Sequence, residues 1–192
     1  MNWSRKLFVG IAALTVGFNG APPLTAAEPC QSGLKPGQRP GPYTAVMTTG
    51  PNRGTLYCAV CDTADRPAVI IFARSLNEPL GKLAQKLDAA LTAHQKAELR
   101  SWITFLSADQ LSLDLQVVRW SQQHALRNLP LGVFEDVEGP PSYLLHEDAD
   151  VTILFSVQQK VTANFAFRKG ELNDQAIDKV MQQLPKIVAR DP

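Results

Sequence analysis

The chain has little of what marks a membrane, metal or nucleic-acid protein. Its one long apolar run, residues 7–18, falls short of the about 20 residues that cross a bilayer as a helix. Three cysteines and three histidines leave room for half a zinc motif, a single Cys-x-x-Cys, and no more without distant partners. A glycine-rich phosphate loop is missing, so nothing supports a cofactor. The formal net charge of +1 gives no electrostatic footprint for nucleic acid or an anionic membrane.

What is present at the N-terminus is an export pattern. Arg5 and Lys6 precede the apolar run, Asn19, Gly20, Pro22 and Pro23 break it, and small residues follow at Thr25-Ala26-Ala27. This is the layout of a cleavable signal peptide with its cut after Ala27, an uncleaved anchor being the competing reading. Cys30 is not read as a lipoprotein cysteine, because Glu28 and Pro29 are poor residues before one. The expected division is a signal peptide (1–27), a Pro/Gly-rich extended arm (28–56) and one domain (57–192). The expected location is periplasmic or secreted, with a mature form not embedded in the membrane and no nucleic-acid partner. Loss of Arg5 and Lys6 leaves 17 basic against 18 acidic side chains. Outside the cytoplasm disulfides persist, and an odd cysteine is left unpaired or joined to another molecule.

In the arm, Pro29, Pro36, Pro40, Pro42 and Pro51 alternate with Gly33, Gly37, Gly41, Gly50 and Gly54, punctuation that opposes helix and central strand. Tyr43, Val46 and Met47 are its apolar anchors, and regular structure is expected from Pro67. Ala68-Val69-Ile70-Ile71-Phe72-Ala73 reads as a strand buried on both faces. Leu76, Leu80, Leu83, Leu87 and Leu91 predict an amphipathic helix over 77–93. A second strand is expected at 102–106. A second helix, at 112–127, has Leu111, Leu115 and Val118 on one side, and a third strand is expected at 131–134. Residues 151–157 and 161–167 predict an antiparallel hairpin through Gln158-Gln159. Val161, Ala163, Phe165 and Phe167 point one way in that hairpin. Asn173 caps a final helix that Pro185 bends or shortens.

This order, strand, helix, strand, helix, strand, hairpin and closing helix, resembles the thioredoxin-like superfamily. The extra strand at 131–134 points to its peroxiredoxin-type branch, over residues 67–188. The resemblance implies a single α/β three-layer domain with a central mixed sheet, a C-terminal antiparallel hairpin and a closing helix. It also implies a redox pair after the first central strand, yet that place reads Arg74-Ser75-Leu76-Asn77-Glu78. The family's cis-proline would fall near Asp150-Val151-Thr152, where there is no proline. Peroxidase chemistry is therefore disfavoured.

The candidate site is Cys58-Ala59-Val60-Cys61. Its spacing suits thiol–disulfide exchange, with Arg53 and Arg66 favouring a thiolate and Asp62 and Asp65 opposing one. By analogy with other Cys-x-x-Cys proteins, Cys58 would be the exposed, attacking thiol and Cys61 the resolving one. The partner would be a protein thiol or disulfide. The pair enters the first central strand from its N-terminal end, whereas sites on open α/β sheets lie beyond the C-terminal ends. Two other readings stay open. One is a structural disulfide, Cys58 to Cys61 or either to Cys30, in a non-catalytic binding module. The other is a metal site completed by Cys30 and His94, His124 or His146. Covalent haem is excluded by Asp62 where histidine is needed. His146 with Glu147, Asp148 and Asp150 reads as a solvated loop, and Ser75 has no base to make it a nucleophile.

Overall fold

A computed structural model describes residues 28–189, and the expected signal peptide lies outside them. The regular elements in chain order are β1 (Ala45–Met47), β2 (Leu56–Tyr57), α1 (Ala59–Thr63), β3 (Ala68–Ala73), α2 (Glu78–Ala93) and β4 (Arg100–Leu106). They continue with α3 (Gln110–Gln123), β5 (Leu131–Phe134), β6 (Val151–Val157), β7 (Lys160–Phe167), α4 (Asp174–Met181) and α5 (Leu184–Val188). Structure thus begins before Pro67. Two short strands and one helical turn fit between the prolines and glycines of the N-terminal segment.

The strands form one mixed sheet in the order β2-β1-β5-β4-β3-β6-β7. β3, β4 and β5 are parallel neighbours, while β6 runs antiparallel beside β3 and β7 antiparallel beside β6. Because β3, β4 and β5 step in one direction, right-handed crossovers put α2 and α3 on the same face. That face joins Val69, Ile71, Ile103, Phe105, Ile153 and Phe155 to α2, α3, α4 and α5 in one core. The other face buries Ile70, Phe72, Trp102 and Leu154 beneath Leu34, Tyr43 and Tyr143, so the third layer is mostly irregular chain.

Side chains explain how a segment so rich in proline is held there. Tyr43 is buried with its hydroxyl 2.7 Å from Thr104 Oγ1 and accepting from Trp102 Nε1 at 2.8 Å. Burial pushes this phenol up to about 12, and it stays neutral with its polar atom satisfied. Asn164 Nδ2 donates to the carbonyls of Ser32 and Leu34. Leu34 and Ala45 are anchors beyond those the sequence suggested, and Val46 is only half-buried.

Two side-chain directions differ from expectation. Leu111 and Leu115 share a face of α3, but it is the outer one, 81% and 62% exposed, while Val117 and Trp120 face the sheet. In β7 the pairing shifts between Phe155 and Ser156, with Ala163 opposite the first and Val161 opposite the second. One extra residue reverses the side-chain parity. Val161 therefore packs in the core under Leu34, while Ala163, Phe165 and Phe167 lie against the helices.

The closing helix is interrupted as its proline requires. Asn173 Oδ1 caps α4 by accepting from Ala176 N at 2.9 Å. The helix stops at Met181 and resumes at Leu184, with Pro185 in the new first turn. There a missing N–H costs nothing.

Candidate functional site

Cys58 and Cys61 stand at the start of α1. Cys58 is its N-cap in extended backbone, and three residues later the helical turn returns Cys61 to its side. The sulfurs are bonded at 2.00 Å, with Cα atoms 5.3 Å apart. Of the pairings left open, the bridge to Cys30 does not form. Cys30 is a free thiol that lies beside Arg168 and Glu171 at the far end of β7, and burial is the main effect raising it. Cys61 is the exposed member and Cys58 is half-buried, the reverse of the order expected by analogy. The cause is the cap position itself, which turns Cys58 toward the first turn of the helix.

The polar surroundings of the sulfurs are local. Cys61 N–H donates to Cys58 Sγ at 3.2 Å. Arg66, expected to help a thiolate, is committed elsewhere. Its guanidinium lies 3.4 Å from Asp62 Oδ2 and donates to the carbonyls of Asp62 and Thr63. Asp65 is likewise occupied, accepting from Gln159 Nε2 at 2.9 Å. Tyr57, raised first by its burial and then by Asp62, stands on the other flank of that carboxylate. Two recesses border α1. One lies beside Pro40, Pro42, Val60, Cys61 and Trp102, and the other beside Tyr57, Asp62, Arg100 and Asn128.

The bridge occupies the pole of the sheet where β3 and β4 begin. The pole where they end holds a different arrangement. Ser75 Oγ lies 2.8 Å from both carboxylate oxygens of Asp150, and Asn77 Nδ2 donates to Ser75 Oγ and Asp150 Oδ2. Arg74 Nε donates to the carbonyl of Ala149 at 3.0 Å. β3 spans five residue steps of about 3.3 Å, so the two poles are about 17 Å apart. Asn77 is also the N-cap of α2, accepting from Leu80 N at 2.9 Å. It repeats, with an amide oxygen, the i to i+3 cap that Cys58 makes with sulfur. Asp150 stands where the family's cis-proline is expected, and no described peptide bond is cis.

This network was not anticipated from sequence, since nothing in the spacing of Ser75, Asn77 and Asp150 says that the end of β3 lies beside the start of β6. The remaining polar candidates stay apart. His146 is exposed, its Nδ1 accepting from Asp148 N at 3.2 Å. Asp150 turns away from it to Ser75. His94 and His124 are C-caps of α2 and α3, and the His124 ring meets Trp120 edge to face with centroids 4.9 Å apart. Among the described residues no three His, Cys, Asp or Glu side chains converge as metal ligands. None of the described helices is long and apolar enough to cross a membrane.

No protein-family model and no curated relative matches the chain. Solved structures do. A candidate protein disulfide isomerase from Bacteroides thetaiotaomicron superposes with a TM-score of 0.61 at 15% identity, covering 83% of this chain and 94% of that one. A secreted thiol-disulfide isomerase from Corynebacterium glutamicum gives 0.59 at 12% identity, covering 80% and 86%. A yeast mitochondrial 1-Cys peroxiredoxin gives 0.53 at 11% identity, covering 80% and 78%. At such identities the likeness is one of architecture. It agrees with the strand order, the hairpin and the closing helix described above. The chain has the thioredoxin-like fold.

Proposed function

We propose that the chain is an extracytoplasmic thiol–disulfide exchange protein that acts through Cys58 and Cys61 on the thiols or disulfides of other proteins. In this reading residues 1–27 are a signal peptide, residues 28–56 an arm and residues 57–192 the domain that carries the exchange site. The observation that carries the proposal is a surface bridge whose ring closes only its own helical turn. A disulfide stabilises chiefly by restricting the unfolded chain, and a four-residue loop yields at most about 2 kcal/mol. The bridge ties β2 and the arm to nothing else, which is little return for a structural staple. The exposure of Cys61 and the hydrogen bond onto Cys58 Sγ suit exchange instead. The fold is also that of exchange proteins such as the secreted isomerase above.

A second reading is favoured by the other pole. There Ser75, Asn77 and Asp150 bond to one another where the fold's redox pair and cis-proline are expected. A thioredoxin-like domain with that pole closed is a non-catalytic binding module, its cysteines structural.

Thiol labelling across glutathione buffers, with mass mapping of the labelled cysteines, separates the two. Reversible opening of the bridge between about −120 and −270 mV, the span of known exchange catalysts, supports exchange. A bridge that stays closed well below that range supports the binding module.

A further inference from the structure

Cys61 is exposed and helps line a recess formed with Pro40, Pro42, Val60, Ile70 and Trp102, and no charged side chain lines it. Cys58 is half-buried and lines neither this recess nor the one across α1. Building on the exchange reading above, we propose that Cys61 is the sulfur a partner thiol attacks, and that the recess beside it receives an apolar residue next to the partner's cysteine. This inverts the roles that the Cys-x-x-Cys spacing suggests.

Two observations give the order. The first is access, since an incoming thiolate meets Cys61 before Cys58. The second is the leaving group. Attack on Cys61 Sγ breaks the bond to Cys58, and its electron pair leaves on Cys58 Sγ, where the Cys61 N–H already points at 3.2 Å. A hydrogen bond to the charged form favours it, and a better-stabilised thiolate leaves faster.

The reaction balances with a partner dithiol. The first partner thiolate bonds to Cys61, giving a mixed disulfide and a Cys58 thiolate. The second partner thiolate then attacks the partner sulfur of that mixed disulfide and expels the Cys61 thiolate. The partner is oxidised by two electrons to a disulfide, and its two protons end on Cys58 and Cys61. The recess fits this sequence because a mixed disulfide at Cys61 brings the residues flanking the partner's cysteine against Pro40, Pro42 and Val60. An uncharged lining favours an apolar side chain over a charged one.

The test uses the oxidised, unaltered chain. It is mixed with a short peptide holding one cysteine beside leucine, or with the same peptide holding glycine there. The mixture is alkylated within the first seconds, and the adducts are mapped by mass. The expected result is peptide on Cys61 and alkyl group on Cys58, outnumbering the reverse by about ten to one, a difference of about 1.4 kcal/mol between the two routes. The leucine peptide should react faster than the glycine one. Peptide found mainly on Cys58, or equally on both, overturns the assignment while exchange itself stands. Absence of any adduct overturns the exchange reading and this proposal together. Equal rates for the two peptides overturn the recess as the docking place.

Discussion

Ser75 Oγ lies 2.8 Å from each carboxylate oxygen of Asp150, joining the loop after β3 to the residue before β6. Asn77 Nδ2 donates to both partners, at 3.0 and 3.1 Å. These groups are half-buried, so removing the carboxylate leaves donors short of acceptors, and such bonds to a charged group contribute about 1.5–3 kcal/mol. Asp150→Ala should lower the unfolding free energy by about 2 kcal/mol in a urea titration. Exchange at Cys58 and Cys61 should be unchanged. Exchange lost in a variant that keeps its stability would move the chemistry to this pole.

The strands, the helices and their order were legible because each carries its own period. Ala68-Val69-Ile70-Ile71-Phe72-Ala73 is apolar on both faces, and the leucines of α2 recur at three and four. The inversion at Val161 was not legible, since the extra residue in β7 appears only when Phe155 and Ser156 are paired across the hairpin. Nor was the outward stripe of Leu111 and Leu115, because periodicity gives a face but not its direction. The position of the cysteine pair at the N-terminal pole followed from chain order alone. Its exposure order did not, because that depends on Cys58 being a cap, which needs the backbone of a single short turn.

The bridge itself offers a stability test. Replacing both Cys58 and Cys61 by serine reopens a loop of four residues and should cost about 2 kcal/mol or less, measured by thermal or urea unfolding with the m-value unchanged. A loss well above that would mean the bridge anchors the arm, and the binding-module reading would gain.

Gly81 lies in the interior of α2, where alanine ordinarily stabilises a helix by about 1 kcal/mol. Here the opposite is expected. A Cβ at this position would overlap the ring of His124, which is buried and packed edge to face against Trp120. Gly81→Ala should destabilise by about 1–3 kcal/mol, the usual range for overpacking. Adding His124→Ala should recover part of that loss. If the single variant is more stable than the parent, the close packing of α2 on α3 is refuted.

Asp88 makes one acid-sensitive contact. Burial alone would raise its carboxyl, but backbone N–H groups of Asn128, Leu129 and Arg127, with the Asn128 amide, outweigh it and hold the group below its ordinary value. A carboxyl depressed on folding adds stability that is fully present above its unfolded pKa of about 3.9. That contribution is lost as the pH falls through the lower folded value. Asp88→Asn should be less stable than the parent at neutral pH, and the gap should shrink below about pH 3.9. Unfolding curves at several pH values check this, and a gap independent of pH would refute it.

The tip of the β6–β7 hairpin combines strain with a contact near the bridge. Gln158 and Gln159 both have positive φ, 52° and 56°, as a two-residue type I′ turn demands, a conformation that asparagine and glycine adopt far more readily than glutamine. Gln159 recovers part of the cost through Arg39 at 2.7 Å and Asp65 at 2.9 Å, and it borders the recess beside Cys61. For Gln158 the fixed bond is its backbone N–H to Asp65 O at 3.0 Å, which any residue except proline keeps. Gln158→Asn should therefore stabilise the fold by up to about 1 kcal/mol. Gln159→Gly relieves the same strain but breaks the links to Arg39 and Asp65, so its gain should be smaller or absent. Paired urea titrations decide it, and equal gains for both variants would show that the Gln159 side chain holds nothing at this tip.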